Sequence, residues 1–257
     1  MKKISILLGL LLFFSVTGCG KKDVEAPKGD DAAAASVNEE GADAAKKEEA
    51  KSPQAMADSV EFTEEGLKSL FKNNPLTADE YEAYMLSFAK CKFEESNGFY
   101  NYKSCPAKQL ALSGGVPGIA GDIQFSVLSK LLKHENAIVR DRAYDELRFD
   151  EKNVGSIMAA IKEEKDPHII LTWFVRLCNS KQLSHPEVAP FVKAKMKDSD
   201  EKYREQFLFN AMPKNIKGDS EYVTILSDIC QNDASEEIKN KACERLPKFQ
   251  EAVQKTE

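Results

Sequence analysis

The sequence predicts an all-α body, an α-solenoid of stacked helix pairs with an N-terminal helical cap. Three observations lead there. Apolar residues recur with helical spacing: Val154, Ile157, Met158 and Ile161 fall at i, i+3, i+4 and i+7, and Val188, Phe191, Val192 and Met196 at i, i+3, i+4 and i+8. No comparable stretch alternates with period two, and no Asn-Gly or Asp-Gly turn stands between apolar runs. Finally, four helix starts share a register. Asn136, Asp166, Asp200 and Ser235 are all good N-caps, because a side-chain oxygen there can accept from the unpaired N–H groups of a first helical turn. Counting from each cap, Val139, Ile169, Tyr203 and Ile238 come three residues on, and Ala143, Trp173, Phe207 and Ala242 seven on. Leu147, Leu177, Ala211 and Leu246 come eleven on. All three rows read as inward-facing. Spacings of 30 to 35 residues between caps are those of helix pairs that bury their apolar faces only by stacking.

The chain has 257 residues, 42% hydrophobic and 30% charged, which excludes a wholly disordered or collagen-like protein. Its net charge of -6 argues against a nucleic-acid partner. Residues 1–18 form a leader: Lys2 and Lys3 precede an apolar run from Ile4 to Val16, too short to cross a bilayer core of about 30 Å comfortably. The run ends in Val16-Thr17-Gly18-Cys19, which resembles the lipobox of bacterial lipoproteins. That resemblance implies cleavage before Cys19, lipidation of its sulfur and acylation of the new amino group, and thus attachment to the membrane through several acyl chains. Gly20 stands where an Asp would resemble an inner-membrane retention signal, so the expected location is the envelope, at the outer membrane, facing the periplasm or the cell surface.

Residues 19–58 read as the lipidated Cys and a tether. From residue 20 the stretch has no aromatic residue, eleven Ala, six Lys and ten acids, too little apolar surface to offset the entropy of ordering. As a coil it would span on the order of 35 Å. A transient helix around Ala32–Ala35 or Ala42–Lys51 is the alternative.

Residues 59–121 read as the helical cap and a connector. Thr63 can cap a helix over 64–72, and Thr77-Ala78-Asp79-Glu80 is a capping box before a helix over 81–92. The Gly-rich run Ser113–Gly121 lacks both a preceding strand and a following Lys-Ser or Lys-Thr, so it is a connector, not a phosphate loop; Asp122 is the expected cap of the next helix.

Residues 122–257 hold the register. The run from Asn136 to Leu147, with Val139-Arg140, Ala143 and Leu147 in place, resembles the second helix of a HEAT repeat. The likeness covers about residues 122–250 and is best in this first unit. It implies that Arg140 and Arg204 pair with an Asp of a neighbouring repeat, a ladder that Ile170 and Lys239 interrupt. Trp173 and Phe207 replace a small residue and imply wider spacing there.

Among residues able to carry chemistry, Cys91 and Cys105 flank a polar, Tyr-rich loop, and a disulfide between them would be worth roughly 3 kcal/mol in the chain-entropy model. Cys230 and Cys243 would tie the last helix pair. If the second helix starts near Ser235, however, Cys243 lies about 12 Å along it, beyond the ~7 Å a disulfide tolerates between Cα atoms. Unless the turn is uneven, both are small core residues. Cys178 is left over, read as a buried thiol at a helix end. His134, His168 and His185 form no local metal pair, and a Cys178/His185 dyad lacks an orienting third group. Lys193, Lys195 and Lys197 read as a solvated face, or as a contact to anionic headgroups. Phe99, Tyr100 and Tyr102 either anchor a partner or pack over the Cys91/Cys105 loop. The expected function is non-enzymatic: a membrane-anchored module that binds or scaffolds another envelope protein, without metal, cofactor or nucleic acid. Its contact surface is placed on the capped helices around Arg140, Tyr144, Arg204 and Lys239. The rival readings are an envelope enzyme or its accessory subunit, and a carrier of a small apolar ligand.

Overall fold

The computed structural model describes residues 51–255; the leader, Cys19 and the tether as far as residue 50 lie outside them. The described residues form twelve α-helices, two short 3₁₀ helices and a two-stranded antiparallel sheet. The body is therefore mostly helical, as its periodicity requires.

The first helices, α1 (Pro53–Ser59), α2 (Glu64–Lys68) and α3 (Ala78–Leu86), are set by their caps. Ser52 accepts from Ala55 N–H with Pro53 at the first helical position, so residues 53–58, read as tether, instead fold; Ala57 is buried, and α1 packs on α3. Thr63 caps α2. At α3 Thr77 accepts from Glu80 N–H while the Glu80 carboxylate accepts from Thr77 N–H. Glu80 also accepts from Lys72 N–H and the Asn73 amide, and these bonds hold its pKa low against the opposing effect of burial.

Residues 92–104 correct the all-helical expectation. Lys92–Ser96 (β1) and Phe99–Ser104 (β2) pair antiparallel through Asn97-Gly98, whose φ values of 52° and 84° are those of a two-residue hairpin turn. The turn chemistry was in the sequence, but between polar runs. Cys91 and Cys105 close the base of this hairpin as a disulfide, with Cα atoms 4.6 Å apart. The chain continues through α4 (Pro106–Leu112) to α5 (Gly121–Leu131). Ala120, not Asp122, is the α5 N-cap, and Asp122 sits in the first turn, where its charge suits the helix dipole.

The remainder is eight α-helices, α5, α6 (Ala137–Glu146), α7 (Val154–Glu163), α8 (Pro167–Asn179), α9 (Ala189–Met196), α10 (Glu201–Asn210), α11 (Ser220–Asn232) and α12 (Glu236–Gln254), with α5 packed on α6, α9 on α10 and α11 on α12. All four expected caps form, at Asn136, Asp166, Asp200 and Ser235. The inward rows are buried, Leu246 only in part. Helix α6 packs on α8, α8 on α10, and α10 on α12, while α9 packs on α11.

A second recurrence was not read from the sequence. The residue two before each cap turns its side chain back to accept from the cap's own N–H: His134 Nδ1, Glu164 Oε1, Asp198 Oδ1 and Asp233 Oδ1. Three residue types, His, Glu and Asp, thus close the same turn.

Cys230 and Cys243 form a disulfide with Cα atoms 4.8 Å apart, so of the two readings the tie across the last helix pair holds and the core-thiol alternative does not; Cys243 is exposed. The turn is indeed uneven. Asp233 and Ser235 have extended backbone on either side of a bend at Ala234, and this turn sets Cys243 on α12 beside Cys230 on α11.

Candidate binding face

The capped helices α6, α8, α10 and α12 present one face on which equivalent positions can be compared. The hairpin lies across its first part. Cross-strand partners project to the same side of a sheet, which places Phe93, Glu95, Tyr100 and Tyr102 together toward the helices. Glu94 and Lys103 share the other side and pair at 2.7 Å. The Tyr102 hydroxyl donates to Asp141 Oδ2 on α6 (3.2 Å), and the Tyr100 hydroxyl to Asp166 Oδ2 at the α8 cap (2.5 Å). Glu95 lies 3.1 Å from His168 Nε2, and the Tyr100 ring stacks obliquely on the His168 ring, 4.9 Å between centroids. At the turn, a Cβ on Gly98 would stand 2.7 Å from Leu171 on α8 and near Lys202 on α10.

Burial dominates the electrostatics under this strap. It raises the Asp141 carboxyl to about 6, with Asp145 adding to the rise while the Tyr102 hydrogen bond and Arg142 oppose it. Burial and the bond to Asp166 likewise push the Tyr100 phenol upward, so it stays a donor.

Beyond the hairpin turn the same face continues uncovered. Between α10 and α12 lies a groove of about 90 Å³ whose walls include Glu201, Glu205, Phe209, Glu237 and Lys241. Phe209 is 55% exposed, an unusual state for so large an apolar side chain, and Lys241 lies over its ring. Glu201, Glu205 and Glu237 have no ion-pair partner among the described residues. In cap-relative register Glu205 on α10 matches Asp141 on α6, and Glu237 on α12 matches His168 on α8.

The four residues assigned to a contact surface occupy different environments. Arg140 makes a bidentate pair with Glu164 (2.8 and 2.9 Å) and donates to the His134 carbonyl. Arg204 pairs with Asp233 and donates to the Asp198 carbonyl, both at 2.5 Å. The two constellations are equivalent: each Arg lies four residues after its cap, and it bonds the carbonyl two before that cap and the acid two before the next. Burial alone would raise Glu164, but Arg140 and the Lys165 and Asp166 N–H groups hold its pKa low. Each pair floors a cleft, of about 340 Å³ around Arg140 and about 280 Å³ around Arg204. Lys239 pairs with Glu236 on its own helix. Tyr144 is fully buried, its ring 4.4 Å from that of Trp173 on α8, which corrects its assignment to the surface; its position faces the next helix, where Trp173 closes over it. No single patch unites the four.

Cys178 is completely buried, and burial drives its thiol pKa well up, the opposite of what an attacking thiolate needs. His185 Nδ1 accepts from Glu187 N–H. Lys193 and Lys195 of α9 and Lys197 at its C-cap are neutralised locally: Lys193 by Asp219 and Glu221, Lys195 by Asp198, and Lys197 by Glu221. Among the described residues no group of three or more His, Cys, Asp or Glu is placed to hold a metal ion, and no helix is long and apolar enough to cross a membrane.

The hairpin contacts were missed in the sequence because β1 is polar apart from Phe93 and exposed throughout, so it lacks the alternation of a half-buried strand. Asn97-Gly98 was the available clue. The chain matches no protein-family model, no curated protein and no solved structure.

Proposed function

We propose that this chain is a lipid-anchored lipoprotein of the bacterial envelope whose body, an α-solenoid of HEAT-like helix pairs, binds another envelope protein without catalysing a reaction. The observation that carries this reading is the face of the capped helices. Its first part is occupied by an extended segment held through tyrosine hydroxyls on carboxylates, and its continuation between α10 and α12 stands open around an exposed Phe. Rigid repeats suit this role, because each unit adds a strip of surface in fixed register with the last. The solenoid reading is supported by four equivalent caps, four equivalent turn closures, two equivalent Arg–acid links and the packing of each capped helix on the next. The anchor rests on the lipobox resemblance at Cys19, and a tether would let the body reach partners away from the headgroups.

Cross-linking in intact cells, followed by identification of captured proteins, tests the reading. A defined envelope partner, recovered only when the body is intact, is the expected result. Recovery of no partner, alongside a turnover signal from the purified protein, would overturn it. Cys19→Ala tests the anchor separately: the variant is expected to leave the membrane fraction, and its retention there would refute lipidation as the cause of attachment.

A further inference from the structure

We infer that the groove between α10 and α12 is the docking site for an extended segment of a partner protein that carries a Lys or Arg beside an aromatic residue. This rests on the binding-module reading and names what the module takes.

The molecule supplies its own precedent. On α6 and α8 the occupant is an extended strand pair that presents aromatic rings to the helices and sets each hydroxyl on a carboxylate, Tyr102 on Asp141 and Tyr100 on Asp166. Its turn ends against Leu171 and Lys202, so the groove starts where the hairpin stops, one helix further on. Equivalent positions then indicate what changes. The α6 carboxylate that receives Tyr102 is matched on α10 by Glu205, so an acceptor for a hydroxyl or ammonium donor is retained. The α8 position that meets the acidic Glu95 is His168, whereas its α12 match is Glu237. The charge preference is inverted there, and a cation replaces the acid of the hairpin. Glu201 adds a third carboxylate without a cationic partner among the described residues.

Phe209 supplies the apolar contact. Lys241 lies over its ring, and an incoming ring can displace or share that ammonium. A cation flanked by an aromatic therefore finds both its partners on one surface. Charge complementarity therefore favours a cation among Glu201, Glu205 and Glu237, with an aromatic ring on Phe209.

The test uses the full mature chain in zwitterionic detergent and a fluorescein-labelled peptide of alternating Lys and Tyr. Alternating Glu-Tyr and Lys-Ser peptides are the comparisons. Anisotropy is expected to show binding of the Lys-Tyr peptide alone, weakened about tenfold by Glu205→Lys with Glu237→Lys, two reversed surface pairs. Phe209→Ser, on an exposed position that the fold does not need, is expected to weaken it similarly, and Glu64→Lys with Glu65→Lys to leave it unchanged. Equal binding of the Lys-Ser peptide, or indifference to the groove variants, would overturn the assignment while leaving a binding module elsewhere on the body. No binding of any peptide overturns it too. Self-association lost on Phe209→Ser would replace the partner segment by a second copy of this chain. Failure to capture any partner in cells is a separate result and bears on the function itself.

Discussion

At the scale of single residues, charge burial decides which substitutions matter. Arg140 and Arg204 look like surface cations in the sequence, yet their partners Glu164 and Asp233 are each only 3% exposed in their side chains. Removing either Arg leaves a desolvated carboxylate without its counter-ion. Arg140→Ala and Arg204→Ala are each expected to cost about 3 kcal/mol in urea unfolding. The double variant should be close to additive, because the two sites share no partner. Losses below about 0.5 kcal/mol would show both pairs to be ordinary surface bridges. Asp141 behaves in the opposite sense. Its folded-state pKa, about 6, lies above the ordinary 3.8, so folding favours the protonated form. The associated stability is complete below pH 3.8 and is lost as pH rises through 6. Glu80 and Glu164, whose pKa values are lowered, contribute stability above the ordinary carboxylate range that is lost only at acid pH. Between about pH 5 and 8 the trend is therefore set by Asp141 among the carboxylates. Asp141→Asn, which still accepts from Tyr102, is expected to stabilise by up to about 3 kcal/mol at pH 8 and to flatten that slope. A variant that keeps the wild-type slope would assign it to another group.

At the scale of elements, helices were legible and the hairpin was not. The caps Asn136, Asp166, Asp200 and Ser235 could be placed because capping depends on one side chain and its own backbone. Strands β1 and β2 depend on what lies beneath them: Tyr100 and Tyr102 face helices distant in sequence, while the residues of β1 remain exposed and show no period. The turn-closing residues His134, Glu164, Asp198 and Asp233 escaped for a third reason, because one hydrogen-bond role is filled by three residue types. The Cys230–Cys243 bridge was left open in the sequence because its feasibility turned on the geometry of the Asp233–Ser235 turn. Two variants test the hairpin as an element. Gly98→Ala places a Cβ against Leu171 at a φ of +84°, and it should cost roughly 1–3 kcal/mol and accelerate amide exchange across β1 and β2 before the helices exchange. Cys91→Ser with Cys105→Ser should lose about 3 kcal/mol and release the same amides. Unchanged exchange in both would mean that the helices hold the hairpin without its turn or staple.

At the scale of the whole molecule, the proposed function is a binding role for a mostly helical body that the lipobox resemblance at Cys19 would attach to the membrane. The body's acidity is dilute, 32 acidic against 28 basic residues over 59–257, and much of it is spent on internal pairs. The proposed groove depends on the local carboxylates around Phe209 rather than on the net charge. The most direct measurement is site-specific photo-cross-linking in intact cells from position 209, with and without Glu205→Lys and Glu237→Lys. The account predicts a discrete protein adduct from position 209 that the charge reversals abolish, and no such adduct from the exposed Leu112 on α4. An adduct from position 209 that persists unchanged in the charge-reversed chain, or no adduct there at all, would contradict it.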